Sequence, residues 1–149
     1  MKSNIATDGS QSQRLLRCGV PADTADMIGV EPDYGYECEP WSSMQGHDTH
    51  GYFPAWSLSA LLGLLPKEID IDGYKYRISI YFESPDEPVI GNQWCLYYKP
   101  KKHSEKSRID DVPMYAPDLI ESAVKMIEWL TANGYKLNDC RCRKKGEKQ

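Results

Sequence analysis

Hydrophobic residues recur at helical spacing near both ends of the chain and alternate at strand spacing in between. The clearest helix is predicted over 117–133. Leu119, Ile120, Ala123, Val124, Ile127 and Leu130 fall on one face, Pro117 suits a first helical position, and Asn133-Gly134 marks the end. Glu121 and Lys125 have the i,i+4 spacing of an ion pair on the polar face. A shorter helix is expected from Gln11 to Cys18, with Ser10 and Gln13 at capping-box spacing and Gly19 and Pro21 closing it. Pro54 and Ser57 open a third, apolar helix through Leu58, Leu61, Leu62, Leu64 and Leu65, which Pro66 stops. A helical turn or two is expected within 21–29.

The middle of the chain changes period. Ile69 and Ile71 alternate with Glu68, Asp70 and Asp72, and Asp72-Gly73 has the composition of a type I′ turn. Tyr74, Tyr76, Ile78, Ile80 and Phe82 follow on one face, and after a loop over 84–93 Trp94, Leu96 and Tyr98 alternate with Cys95, Tyr97 and Lys99. The pattern predicts an α+β fold: a three-stranded antiparallel meander packed by a C-terminal helix and two or three shorter N-terminal helices. Ile69, Ile71, Tyr76, Ile78, Ile80, Phe82, Leu96, Leu61, Leu62, Ile120, Val124 and Ile127 are expected to share its core. The single domain spans 10–138, with a flexible leader over 1–9, a basic tail over 139–149 and a charged loop over 99–111. Val30 to Phe53 shows neither period and reads as one long irregular segment rich in aromatics.

Composition narrows the class. The chain has 149 residues, 40% hydrophobic and 27% charged, long enough to bury a core without disulfide staples. Five cysteines, Cys18, Cys38, Cys95, Cys140 and Cys142, lack CxxC spacing and read as reduced thiols in a cytoplasm. The longest apolar stretch, Trp56 to Leu65, is too short and too interrupted to span a membrane. Charge is uneven: residues 136–149 hold six Lys and Arg against two acids, whereas the whole chain carries −4. The tail suits weak electrostatic docking on an acidic partner or nucleic acid, but the acidic body disfavours specific DNA binding.

The irregular segment holds the first candidate chemistry. His47, Asp48 and His50 form a His-x-x-His group near Cys38 that invites a zinc or general-base reading. A solvated polar loop is the better account of them, since Cys38 is isolated and no nucleophile motif accompanies them. No metal or other cofactor is therefore assigned. Trp41 and Tyr52 flank the group as candidate binding residues, and Trp41 and Trp56 read as anchors of the segment. The second candidate is the sheet face opposite the core, where Tyr81, Tyr97 and Arg77 fall together as an aromatic platform for bases or a peptide.

Several runs carry a resemblance: Gln11 to Leu16 with Gly19-Val20-Pro21, Thr24 to Met27, Pro54 to Leu62 through Leu65-Pro66, and Asp111 to Tyr115. They resemble a group of uncharacterised small proteins encoded in genomes and mobile elements of gut anaerobic bacteria. The resemblance implies no activity and no cofactor, because the runs coincide with caps, turns and core positions. The expectation is a non-enzymatic accessory or protein-interaction protein of a bacterium, phage or mobile element. The rival expectations are a small enzyme or metal binder using His47, Asp48 and His50, and a weak binder of nucleic acid or acidic partners through the tail.

Overall fold

The structure, a computed structural model, describes residues 5–32, 35–83, 93–101 and 112–138. It is α+β, with two antiparallel sheets of three and four strands. The expected meander is the centre of the larger sheet. β4 (Glu68–Ile71), β5 (Tyr74–Glu83) and β6 (Gln93–Pro100) run consecutively, and β7 (Val112–Ala116) adds a fourth strand on the outer edge of β6. The turn between β4 and β5 forms as its residues require: Asp72 and Gly73 both take positive φ, at 52° and 86°, the combination that defines type I′.

A second sheet occupies much of the segment that reads as irregular. β1 (Met27–Val30) lies between β2 (Gly35–Glu37) and β3 (Tyr52–Ala55). Each strand has three or four residues, too few for a period to show. Pro54, expected to open a helix, sits in β3, and the turn expected within 21–29 is a 3₁₀ turn at Ala22–Thr24 running into β1. Where Gly29 faces Phe53 across β1 and β3, the ring lies against the bare glycine; an added Cβ would fall 2.1 Å from the ring tip.

Three helices complete the fold. α1 (Gly9–Arg17) starts earlier than expected because Asp8, not Ser10, is its cap. The Asp8 carboxylate accepts from the Gln11 N–H at 2.8 Å and the Gln11 side-chain oxygen accepts from the Asp8 N–H at 3.0 Å, a reciprocal box. Residues read as leader are part of the fold: Ala6 and Thr7 are fully buried, and Thr7 exchanges hydrogen bonds with Trp56. α2 (Leu58–Leu64) is capped by Ser57 as expected, although only Leu61 and Leu64 are buried along it. α3 (Leu119–Ala132) is capped by Asp118, and beyond it Gly134 takes a positive φ of 81° while the Tyr135 N–H reaches back to the Leu130 carbonyl at 2.9 Å. Tyr135 then stacks on Trp129.

The apolar stripe of α3 lies across β6 and β7, and α1 and α2 pack on α3. Ile120, Val124, Ile127 and Leu130 join Leu61, Ile69, Ile71, Tyr76, Leu96 and Tyr98 in one buried core around Trp56. Leu62 and Ile78 are only half-buried. Ile80 and Phe82 depart from the expectation: they are 41% and 49% exposed, because α3 covers β6 and β7 and leaves the far half of β5 bare among the described residues. Glu121 likewise spends its charge differently from the expected pair with Lys125. It binds Arg14 of α1 at 2.8 Å, and Lys125 donates to the Tyr115 carbonyl at 3.0 Å. No helix among the described residues is long and apolar enough to cross a membrane. The tail over 139–149 and nearly all of the loops over 84–93 and 99–111 lie outside the described residues.

Candidate functional site: the open face of the larger sheet

Alternation along β4 to β7 sends one set of side chains toward the helices and the other to the opposite face. The second set forms cross-strand rows. Tyr81 pairs with Cys95, which pairs with Tyr115; Ser79 pairs with Tyr97; Glu68 pairs with Arg77, which pairs with Lys99; Asp70 pairs with Lys75.

In the first row the Tyr81 and Tyr115 hydroxyls meet at 3.1 Å. Both residues flank Cys95 in register, and Cys95 is only 1% exposed although it lies on the face opposite the core residues Leu96 and Tyr98. Among the described residues, its cross-strand neighbours on this face are the two tyrosines. The Tyr97 ring meets that of Tyr81 edge to face at 5.2 Å, an arrangement that matches positive ring edge to negative ring face. Tyr81 and Tyr115 remain 37% and 38% exposed. The hydrogen bond to Tyr115, reinforced by burial and by the Cys95 thiol, holds the Tyr81 phenol well above the ordinary tyrosine range. The Tyr81 hydroxyl is thus engaged as a hydrogen-bonding group.

The charged rows adjoin the tyrosines. Lys75, Arg77 and Lys99 are exposed, and Lys101 follows just past the end of β6. Glu68 accepts from Lys101 at 3.2 Å and lies 3.9 Å from Arg77. The Lys101 hydrogen bond, against a smaller cost of burial, holds the Glu68 carboxyl below its usual range. Among the described residues four cations thus accompany Glu68, Asp70 and the turn residue Asp72 at this end, a local positive excess of one in a chain whose net charge is −4.

The other sequence candidates lie on the smaller sheet and its loops. His47, Asp48 and His50 are exposed, and Asp48 spends its carboxylate on the His50 N–H at 2.9 Å, a local turn. His47, Asp48 and Tyr52 border a shallow depression of about 340 Å³ with Glu37 and Glu39. Among the described residues no three His, Cys, Asp or Glu side chains converge to hold a metal. Trp41 is half-buried against the main core, and its backbone N–H donates to the Ala25 carbonyl at 3.1 Å. Trp56 is fully buried, with its indole N–H on the Thr24 hydroxyl at 2.9 Å. A larger cleft, about 490 Å³, runs beside α1 between Arg17 and Glu31.

The structure therefore brings Tyr81 and Tyr97 together and adds Cys95, Tyr115, Lys75 and Lys99, which sequence reasoning did not group with them. Tyr115, named only in the Asp111 to Tyr115 run, was not placed on a strand because β7 is short, carries Pro113 and follows a charged stretch. Proline is tolerated there because β7 is an edge strand in this sheet. The chain matches no protein family model, no curated protein and no solved structure.

Proposed function

We propose that the chain is a non-enzymatic interaction module of the reduced cytoplasm, and that its ligand surface is the open face bearing Tyr81, Tyr97 and Tyr115. The observation that carries this reading is the tyrosine pair flanking Cys95. It places large, partly exposed rings with hydrogen-bonding hydroxyls on a four-stranded support. Tyrosine buries substantial apolar area at low entropic cost and keeps a polar tip for orientation, which is why binding surfaces are rich in it. Rings held by neighbouring strands lose little further freedom on association.

The test is site-specific photo-crosslinking in the organism that encodes the chain. A photoreactive phenylalanine analogue replaces Tyr81 or Tyr115, and in parallel Tyr52 or His50 on the other sheet and its loop. Adducts at the two sheet positions are expected. Adducts confined to Tyr52 and His50, or a hydrolytic turnover abolished by His50→Ala, would overturn the reading in favour of the loop.

A further inference from the structure

Building on the open-face reading, we infer that the ligand of this face is single-stranded nucleic acid, its bases on the tyrosines and its phosphates along Lys99, Arg77 and Lys75. The two chemistries such a ligand requires occur side by side here and run along the same strands. Single-strand grooves combine aromatic rings, on which bases of any sequence stack, with cations that follow the backbone. On β5, Tyr81 and Lys75 are six residues apart and share a face, so at about 3.4 Å per residue the row extends roughly 20 Å. That length takes a short run of nucleotides, toward the lower end of the roughly 4 to 16 that such sites hold. Tyr97 and Lys99 on β6 continue both features across the neighbouring strand.

Charge selects the form of nucleic acid. The chain is −4 overall, so long-range attraction to a polyanion is weak, and the favourable contacts are confined to the cationic end of this face. A duplex hides its base faces inside the stack and would present only phosphates, bringing its dense charge against an acidic body. A single strand offers both groups to the face at once. The contacts proposed here are ring stacking and phosphate charge, which any base satisfies, so the binding is tolerant of sequence. An acidic peptide would use the same lysines and leave the rings without matching partners.

The experiment is fluorescence anisotropy of the full chain with labelled oligouridine and oligothymidine of about 12 nucleotides, and with a duplex of the same length. Titrations run between about 50 and 200 mM salt. Single strands are expected to bind at least tenfold more tightly than the duplex. Tyr81→Ala and Tyr115→Ala should each weaken binding about tenfold, the usual loss when one stacking ring is removed. Lys75→Gln and Lys99→Gln should each reduce the slope of log affinity against log salt by about 0.7, one released counterion per lost phosphate contact.

Circular dichroism checks each tyrosine variant for folding. If either unfolds, the two exposed lysine changes decide the matter. Absence of single-strand binding by the folded chain overturns the inference, and so does binding whose salt slope ignores Lys75 and Lys99, which would assign it to the Lys- and Arg-rich residues 136–149. Photo-crosslinks from Tyr81 to a protein alone, with no nucleic acid bound, overturn the ligand class but leave the interaction module standing. Absence of both overturns both.

Discussion

Arg14 is the side chain whose loss should be felt across the helical layer. Its guanidinium lies between two carboxylates of α3, binding Glu121 at 2.8 Å and Glu128 through both its Nε and its Nη2. Gln11, one turn earlier on α1, donates to the same Glu121 oxygen at 2.9 Å. The Arg14 and Glu121 side chains are 27% and 23% exposed, neither dry nor fully screened. An exposed ion pair is worth at most about 1 kcal/mol and a charged hydrogen bond about 1.5 to 3. Arg14→Ala, which removes two pairs and leaves Glu121 half-satisfied, should therefore cost about 2 kcal/mol. In a domain of this size that corresponds to a fall in Tm of about 4 to 8 °C.

The pH dependence carries the sharper information. Burial pushes the Glu121 carboxyl up, but hydrogen bonds from Arg14 and Gln11 outweigh it and hold the group below its usual range. A carboxyl that binds its proton less readily when folded stabilises the fold above its unfolded value, about 4.3, and loses that contribution as the pH falls through its lower folded value. Urea denaturation at neutral pH and at stepped acid pH, for the wild type, Arg14→Ala, Glu121→Gln and the double variant, measures both effects. The wild type should lose stability through that window, and Glu121→Gln should show a flatter decline. A coupling energy between the two changes under about 0.5 kcal/mol, within ordinary additivity error, would show that the contact contributes nothing. An acid slope unchanged in Glu121→Gln would refute the pH argument by itself.

Three further substitutions probe the packing. Gly29→Ala should cost about 1 to 3 kcal/mol by driving the Phe53 ring off β1, and almost nothing in a Phe53→Ala background, as compared by urea midpoints. Ile127→Ala, at a fully buried position of α3, should cost about 2 to 5 kcal/mol, because neighbours only partly close the space left behind. A smaller loss, read by calorimetry, would mean that α3 is less tightly seated on the sheet. Tyr98→Phe removes the hydroxyl that donates to the Pro66 carbonyl at 2.6 Å and should cost about 1 to 3 kcal/mol, with tighter amide exchange protection in the wild type around β6.

The elements legible in the sequence are those whose instructions are local and long enough to repeat. α3 repeats its apolar stripe over 14 residues and has a cap at each end, and the β4–β5 turn is specified by two adjacent residues. The smaller sheet has no such run. β2 is three residues long, β1 contains a glycine and β3 a proline, features that count against a strand when each segment is read alone. What makes them strands is their partners: Phe53 fills the space that Gly29 leaves, and the Tyr36 hydroxyl reaches the Ala6 carbonyl at 3.1 Å. Those contacts join residues separated by 24 and 30 positions, beyond any window that measures a period.

The same division runs through the candidate site. Tyr81 and Tyr97 were legible because β5 and β6 alternate regularly, so parity along each strand assigns their face without knowledge of the fold. Tyr115 and Cys95 were not, since their meaning depends on which strand lies at the edge of β6. Cys95 has the parity of a position facing away from the core and is nonetheless buried, with Tyr81 on one side and Tyr115 on the other as its cross-strand neighbours. Glu121 obeys the same logic: a lysine four residues away offers a local partner, but Arg14, 107 residues away in sequence, is delivered at better geometry by the packing of α1 on α3. An i,i+4 pair on a helix surface contributes only about 0.2 to 0.5 kcal/mol. A partly desolvated pair reinforced by a second donor outbids it, so local charge spacing yields wherever tertiary packing supplies a better-placed partner.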